Sequence, residues 1–124
     1  MKMVQTDKAP KAAGPYSQAI IANGFIFCAG QVGFDPKSQT LADGIENQTH
    51  QSIKNLQAVL HEAGSDLNHI VKTTIFVKDM NDYTKVNEIY GNYFTENKPA
   101  RATVEVARLP KDALVEIEAI ALIK

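Results

Sequence analysis

From Pro99 to Ala121 the chain reads PARATVEVARLPKDALVEIEAIA, and the alternation inside it constrains the fold more than any other segment. Two period-2 runs, Arg101 to Ala107 and Leu114 to Ile123, are joined by a Pro-Lys-Asp turn. Side chains two apart on a strand share a face. Arg101, Thr103 and Glu105 therefore line one face of the first run, and Ala102, Val104 and Val106 line the other. In the second run Glu116 and Glu118 share a face with Leu114 and Ile120, opposite a purely apolar row of Val115, Ile117, Ala119, Ala121 and Ile123. Charges set into apolar strands are costly unless paired or used, so this placement is the first hint of a site.

The rest of the chain supplies a sheet and two covering helices. Asn23-Gly24, between Ser17–Ala22 and Phe25–Ala29, predicts a type I′ hairpin because both residues tolerate positive φ. Gly30 and Gly33 bracket Gln31-Val32 and permit close backbone approach. Residues 35–43 read as a surface loop. A helix is expected from Asp43, with Glu46 completing a capping box and Gly64 ending it. Its apolar stripe is Ile45, Ile53, Leu56, Val59, Leu60 and Ala63. His69 to Val77 is strand-like. A second helix, capped by Asn81 or Asp82, carries Tyr83, Val86, Ile89, Tyr90, Tyr93 and Phe94 and ends before Pro99. The order β-β-α-β-α-β-β predicts one α+β domain over residues 1–124, with both helices on the same sheet face. The opposite face then lacks a cover, which favours association of copies around a symmetry axis.

Composition narrows the function classes. Thirteen basic and fourteen acidic residues give a net charge of −1, which provides no footprint for nucleic acid or anionic membrane. No apolar run reaches spanning length, and the single cysteine excludes an intrachain disulfide, so a cytoplasmic location is expected. There is no phosphate loop, nucleophile elbow or metal motif, and chemistry without a cofactor is expected.

Several side chains carry two readings each. Arg101 offers a planar fork for a carboxylate, or a structural ion pair with Glu116 or Glu118. Those two glutamates could perform acid–base work or simply line a solvated edge. Glu105 suits a cross-strand or an intersubunit salt bridge. The Tyr16 phenol could serve a cleft or anchor packing, and Asn87 could orient a ligand or bond a neighbouring carbonyl. Gly91 suggests something packed close against its helix. Cys28 reads as a buried inert thiol, and His50 and His61 lack the third ligand of a metal site.

GPYSQA, AGQVGFDP, VKTTIFVKDMNDYTKVNEIY and PARATVEVARLPKDALVEIEAIA together span nearly the whole chain, and through them it resembles the RidA (YjgF/YER057c) family of reactive-intermediate deaminases. The resemblance implies a chorismate-mutase-like fold assembled as a homotrimer with clefts between subunits. It implies hydrolysis of 2-iminobutanoate and 2-iminopropanoate to 2-oxoacids and ammonia. By motif, Arg101 is similar to the carboxylate clamp and Glu116 to the residue that positions water. Tyr16, Gly30 and Asn87 are similar to cleft-lining residues, Gly30 through its backbone. Thr103 stands where many members have Cys and Ala29 where they have Ser; Thr103 keeps a hydroxyl for positioning but excludes a thiol mechanism. The resemblance also allows a 2-oxoacid-binding regulatory partner protein without turnover, or an endoribonuclease.

Overall fold

Why the chain folds as it does is clearest at its turns and stripes. The computed structural model describes all 124 residues. Asn23 (φ 52°) and Gly24 (φ 80°) form the expected turn between β2 (Ala19–Ala22) and β3 (Phe25–Val32). A further short strand, β1 (Lys2–Val4), pairs with β2 at the sheet edge. The segment read as a surface loop contains a small separate hairpin, β4 (Phe34–Asp35) with β5 (Thr40–Leu41). Strands of two or three residues carry no readable alternation, which is why neither feature is visible in the sequence.

Helix α1 (Gly44–Glu62) follows, then β6 (Ile70–Val77), α2 (Tyr83–Tyr93), β7 (Ala100–Glu105) and β8 (Val115–Leu122). The six-stranded sheet has the order β1-β2-β3-β8-β6-β7. Only β6 and β7 are parallel, as the α2 crossover between them requires. The two halves of the Pro99–Ala121 segment are therefore not a hairpin. The Pro110–Asp112 turn forms, with Lys111 and Asp112 in the left-handed region, but β6 lies between β7 and β8. Strand β8, apolar on one face along its whole length, takes the central position where both of its edges are bonded.

Both helices cover one sheet face. Ile53, Leu56, Val59 and Leu60 of α1 are buried against Ile26, Ile75, Val115 and Ile117 of the strands. Each such side chain contributes roughly 1.5–3 kcal/mol when removed from water. The α1 terminus is as expected: Gly64 turns at φ 83° and Ser65 N–H donates to the Leu60 carbonyl at 2.8 Å. The start is not. Asp43 stands at the N-cap but its side chain caps nothing; Gly44, at φ 79°, turns the chain into the helix, and Asn47 Nδ2 donates back to the Asp43 carbonyl at 2.9 Å. At α2 neither Asn81 nor Asp82 provides a side-chain cap. Asp79 accepts from Asn81 N–H at 2.9 Å, and Glu105 accepts from Met80 N–H at 2.8 Å.

The other sheet face is bare. Phe25, Phe27, Val104 and Leu122 are exposed on it, among Glu116 and Glu118.

Candidate functional site

Two hollows contain the residues that the sequence nominates. The first is built around a β-bulge. Pairing of β3 with β8 passes from Cys28↔Ala119 to Gln31↔Ile117, so Ala29 and Gly30 together oppose Glu118. The extra residue brings the Gly30 backbone against the Glu116 side chain. A Cβ at Gly30 would lie 2.9 Å from the Glu116 carboxyl carbon, too close for both groups to keep their places. Glu116 is half-buried, and burial, followed by the like charge of Glu118, raises its carboxyl above the ordinary value of 4.5. Tyr16 joins Gly30 and Glu116 in lining this hollow of about 90 Å³.

Buried amides and hydroxyls hold the bulge in place. Ser52 Oγ donates to the Gln31 carbonyl at 2.6 Å, and Asn55 Nδ2 to the Val32 and Phe34 carbonyls at 3.1 and 2.9 Å. Gln48 Oε1 accepts from Leu114 N–H at 2.8 Å, two residues before Glu116. On the other side, buried Gln18 straps the N-terminal segment: it accepts from Thr6 N–H at 2.7 Å and donates to the Thr6 and Pro10 carbonyls at 3.0 and 2.9 Å. That strap fixes the lead-in to Tyr16, whose phenol accepts from Ala13 N–H at 3.1 Å. Tyr16 is 54% exposed, so it does not anchor packing within the chain.

The second hollow, of about 320 Å³, lies between α2 and β7 and is lined by Arg101, Asn87, Tyr90 and Gly91 among others. Arg101 Nη2 donates to the Tyr83 phenol at 2.9 Å, and its guanidinium carbon sits 4.9 Å from the Tyr90 ring centroid. Tyr90 is fixed in turn by Thr73, hydroxyl to hydroxyl at 2.8 Å, and stacks on Phe94. No carboxylate engages Arg101; the ion pairs of the chain are His69–Asp66, Lys124–Asp66 and Arg108–Asp112. The structural pair with Glu116 or Glu118 does not form, because Arg101 shares the helix-side face with Thr73 while both glutamates stand on the bare one. Two rows along from Arg101 on the same face, Thr103 Oγ1 is buried with no hydrogen-bond partner, which is rare.

Each remaining side chain with two readings takes one place in the fold. Glu105 forms no cross-strand salt bridge within the chain; its carboxylate accepts from Met80 N–H at 2.8 Å. Asn87 is exposed at the rim of the Arg101 hollow rather than bonding a buried carbonyl. Nothing packs close to Gly91; a Cβ there would meet open space beside Arg101. Cys28 is buried and its thiol is pushed up to about 12 by burial, an inert group. His50 bonds the Tyr93 phenol at 2.8 Å.

Sequence reasoning overlooked five supporting residues. Tyr83 and Tyr90 read as helix packing, although their spacing of seven already sets them on one α2 face. Gln48, Ser52 and Asn55 follow helical spacing inside an apolar stripe, and polar groups in such a row need partners. That signal was available.

A mixed six-stranded sheet with two helices on one face, a glycine-backed carboxylate on its bare side and an unpaired guanidinium at its edge strand defines a Rid-type protein. The chain belongs to the RidA (YjgF/YER057c) family. The family model described as Endoribonuclease L-PSP matches residues 6–123. The chain is 54% identical over 121 residues to a RutC family protein of Pyrococcus horikoshii, across 97% of this chain and 96% of that protein. It is 50% identical over 122 residues to a Mus musculus protein named 2-iminobutanoate/2-iminopropanoate deaminase, across 98% of this chain and 90% of that one. Its structure matches RidA from an Antarctic Psychrobacter with a TM-score of 0.97 at 41% identity, covering 99% and 100% of the two chains.

Proposed function

We infer that the protein hydrolyses small 2-imino acids, 2-iminobutanoate and 2-iminopropanoate among them, to 2-oxoacids and ammonia, in clefts between the subunits of a cytoplasmic homotrimer. The observation that carries this reading is the Arg101 fork: it faces a hollow, has no acidic partner, and is steadied by a phenol and an aromatic face. Thr103, two residues along the same strand, keeps a buried hydroxyl with no partner within the chain.

Each half lacks what the other has. The Arg101 hollow has a cation and no base, whereas the Glu116 hollow has a carboxylate of raised pKa. Arg101 and Thr103 stand on the edge strand, and Glu116 on the bare face. Setting the edge of one copy against the bare face of the next brings the halves together and covers Phe25 and Phe27. Three copies is the number that the family resemblance implies.

The chemistry then follows from charge. Arg101 binds the substrate carboxylate bidentately. Glu116 accepts a proton from a water held against the Gly30 backbone as that water adds to C2 of the protonated imine. Glu116 then gives the proton to the carbinolamine nitrogen, the C–N bond breaks as the hydroxyl loses its proton to form the carbonyl, and nitrogen leaves as ammonia with the 2-oxoacid remaining. Thr103, Asn87 and Tyr16 orient the small acid. Such acid–base assistance is worth about 10²–10⁴-fold, enough for an electrophile as reactive as a protonated imine.

The test generates 2-iminobutanoate with a threonine dehydratase and follows its capture by semicarbazide. The protein should suppress semicarbazone formation, and Arg101→Ala should not. Unchanged semicarbazone with the wild-type chain would reject the reading, and 2-oxobutanoate binding without turnover would favour a regulatory partner protein.

A further inference from the structure

The Glu116 hollow is open at its outer end. Pro10, Lys11, Ala13, Phe34 and Lys111 line it and also line a second hollow of about 610 Å³ between the N-terminal segment and the β4–β5 hairpin. The small chamber, of about 90 Å³, suits a reacting centre and a water; the large one is far more than 2-iminobutanoate needs.

Two ammonium groups flank the shared neck, and Asp7 is the sole carboxylate of the outer chamber. Lys111 Nζ sits 4.5 Å from the Phe34 ring centroid. Its nearest acid in sequence, Asp112, is taken by Arg108 at 2.7 Å, so no carboxylate neutralises Lys111. Lys111 (φ 60°) and Asp112 (φ 56°) both occupy the left-handed region, a disfavoured conformation for residues with a Cβ. That turn lays the Lys111 side chain across Phe34. A positive, partly aromatic neck in front of a carboxylate base is built to pass something with a negative end.

We propose that the cleft accepts 2-imino acids whose side chains end in a carboxylate, the imines of acidic amino acids, with Lys111 and secondarily Lys11 recognising the distal charge. This deepens the deaminase reading and rests on it. The substrate's own carboxylate lies on Arg101, its C2 faces Glu116, and the side chain extends through the neck to the lysines. The bond changes are the same: water oxygen adds at C2, the C–N bond breaks, and nitrogen leaves as ammonia. Amino-acid oxidation is the class of reaction that supplies such imines.

The experiment compares 2-iminoglutarate, made from glutamate by an oxidase, with 2-iminobutanoate, using the semicarbazide readout for both. In Lys111→Met, kcat/KM for 2-iminoglutarate should fall about fivefold, the scale of one partly exposed charge pair, and should be unchanged for 2-iminobutanoate. Calorimetry of 2-oxoglutarate and 2-oxobutanoate should show the same selective weakening, and Lys11→Met a smaller one. Equal losses for both acids, or none for either, overturn the proposal. Binding is read without turnover, so selective weakening with neither imine hydrolysed would support the charged neck and count against the deaminase reading alone.

Discussion

Arg101 and Glu116 project from opposite faces of one sheet. Arg101 is in register with Thr73 and, beyond it, Ala119 on the helix-covered side, whereas Glu116 is in register with Phe76 and Val104 on the bare side. Within a single protomer the sheet itself separates the proposed clamp from the proposed base. In the proposed reading, a second copy presenting its edge strand completes the cleft that holds both.

The fork is held by Tyr83. Its phenol accepts from Nη2 and leaves the remaining donors free for a ligand. Tyr83→Phe should raise KM about threefold to tenfold with kcat nearly constant, the net worth of one ordinary hydrogen bond lost from the fork's support. Arg101→Lys should do worse, because an ammonium lacks the planar fork. Steady-state kinetics with unfolding curves for both variants separate this from loss of fold.

Gly30 and Gly33 are three residues apart and predict opposite failures. A methyl at Gly30 would meet the movable Glu116 carboxylate at 2.9 Å, so Gly30→Ala should stay folded and lose about 10²-fold in kcat/KM through misplacement of the base. A methyl at Gly33 would meet the Gln48 Cα and carbonyl oxygen of α1 at 2.5 Å, and backbone cannot step aside. Gly33→Ala should cost about 1–3 kcal/mol of stability in urea titration.

The pH dependence has a definite sign. Burial and Glu118 raise the Glu116 carboxyl above 4.5, so the folded chain holds that proton to higher pH than the unfolded chain does. Stability contributed by this group is full below 4.5 and is lost as pH rises through the raised folded value. Glu116→Gln should therefore unfold at higher denaturant than wild type at neutral pH, with the gain vanishing in acid. Activity runs the other way in the proposed mechanism, where Glu116 acts as base and must be ionised. Glu118→Gln should shift the acid limb of the rate profile to lower pH.

Beneath the bulge, Ser52→Ala removes the side-chain donor to the Gln31 carbonyl, and Asn55→Ala the donor to those of Val32 and Phe34. Each should cost about 0.5–1.5 kcal/mol per hydrogen bond lost. Urea midpoints measure it. Catalytic loss should accompany the destabilisation, because the same bonds hold Gly30 against Glu116.

Long periodic elements were the legible part of this fold. The α1 stripe, the Gly64 stop, the Asn23-Gly24 turn and the apolar face of β8 follow from spacing and turn chemistry alone. Register was not legible. Whether Arg101 and Glu116 share a face depends on β6 entering between β7 and β8, a long-range pairing that no local alternation encodes. The bulge at Ala29-Gly30 is equally hidden, for it appears only when β8 lies alongside. The caps failed at α1, where Gly44 turned the entry, and at α2, where Asp79, upstream of both expected residues, caps the turn that leads in by accepting from Asn81 N–H.

The central claim is that each cleft takes Arg101 from one copy and Glu116 from another. Arg101→Ala and Glu116→Gln should each be inactive alone. Refolded together in equal amounts, each site has an even chance of receiving an intact Arg101 and an even chance of an intact Glu116, so about a quarter of wild-type activity should return. No recovery in a mixture shown to contain hybrid oligomers would contradict it.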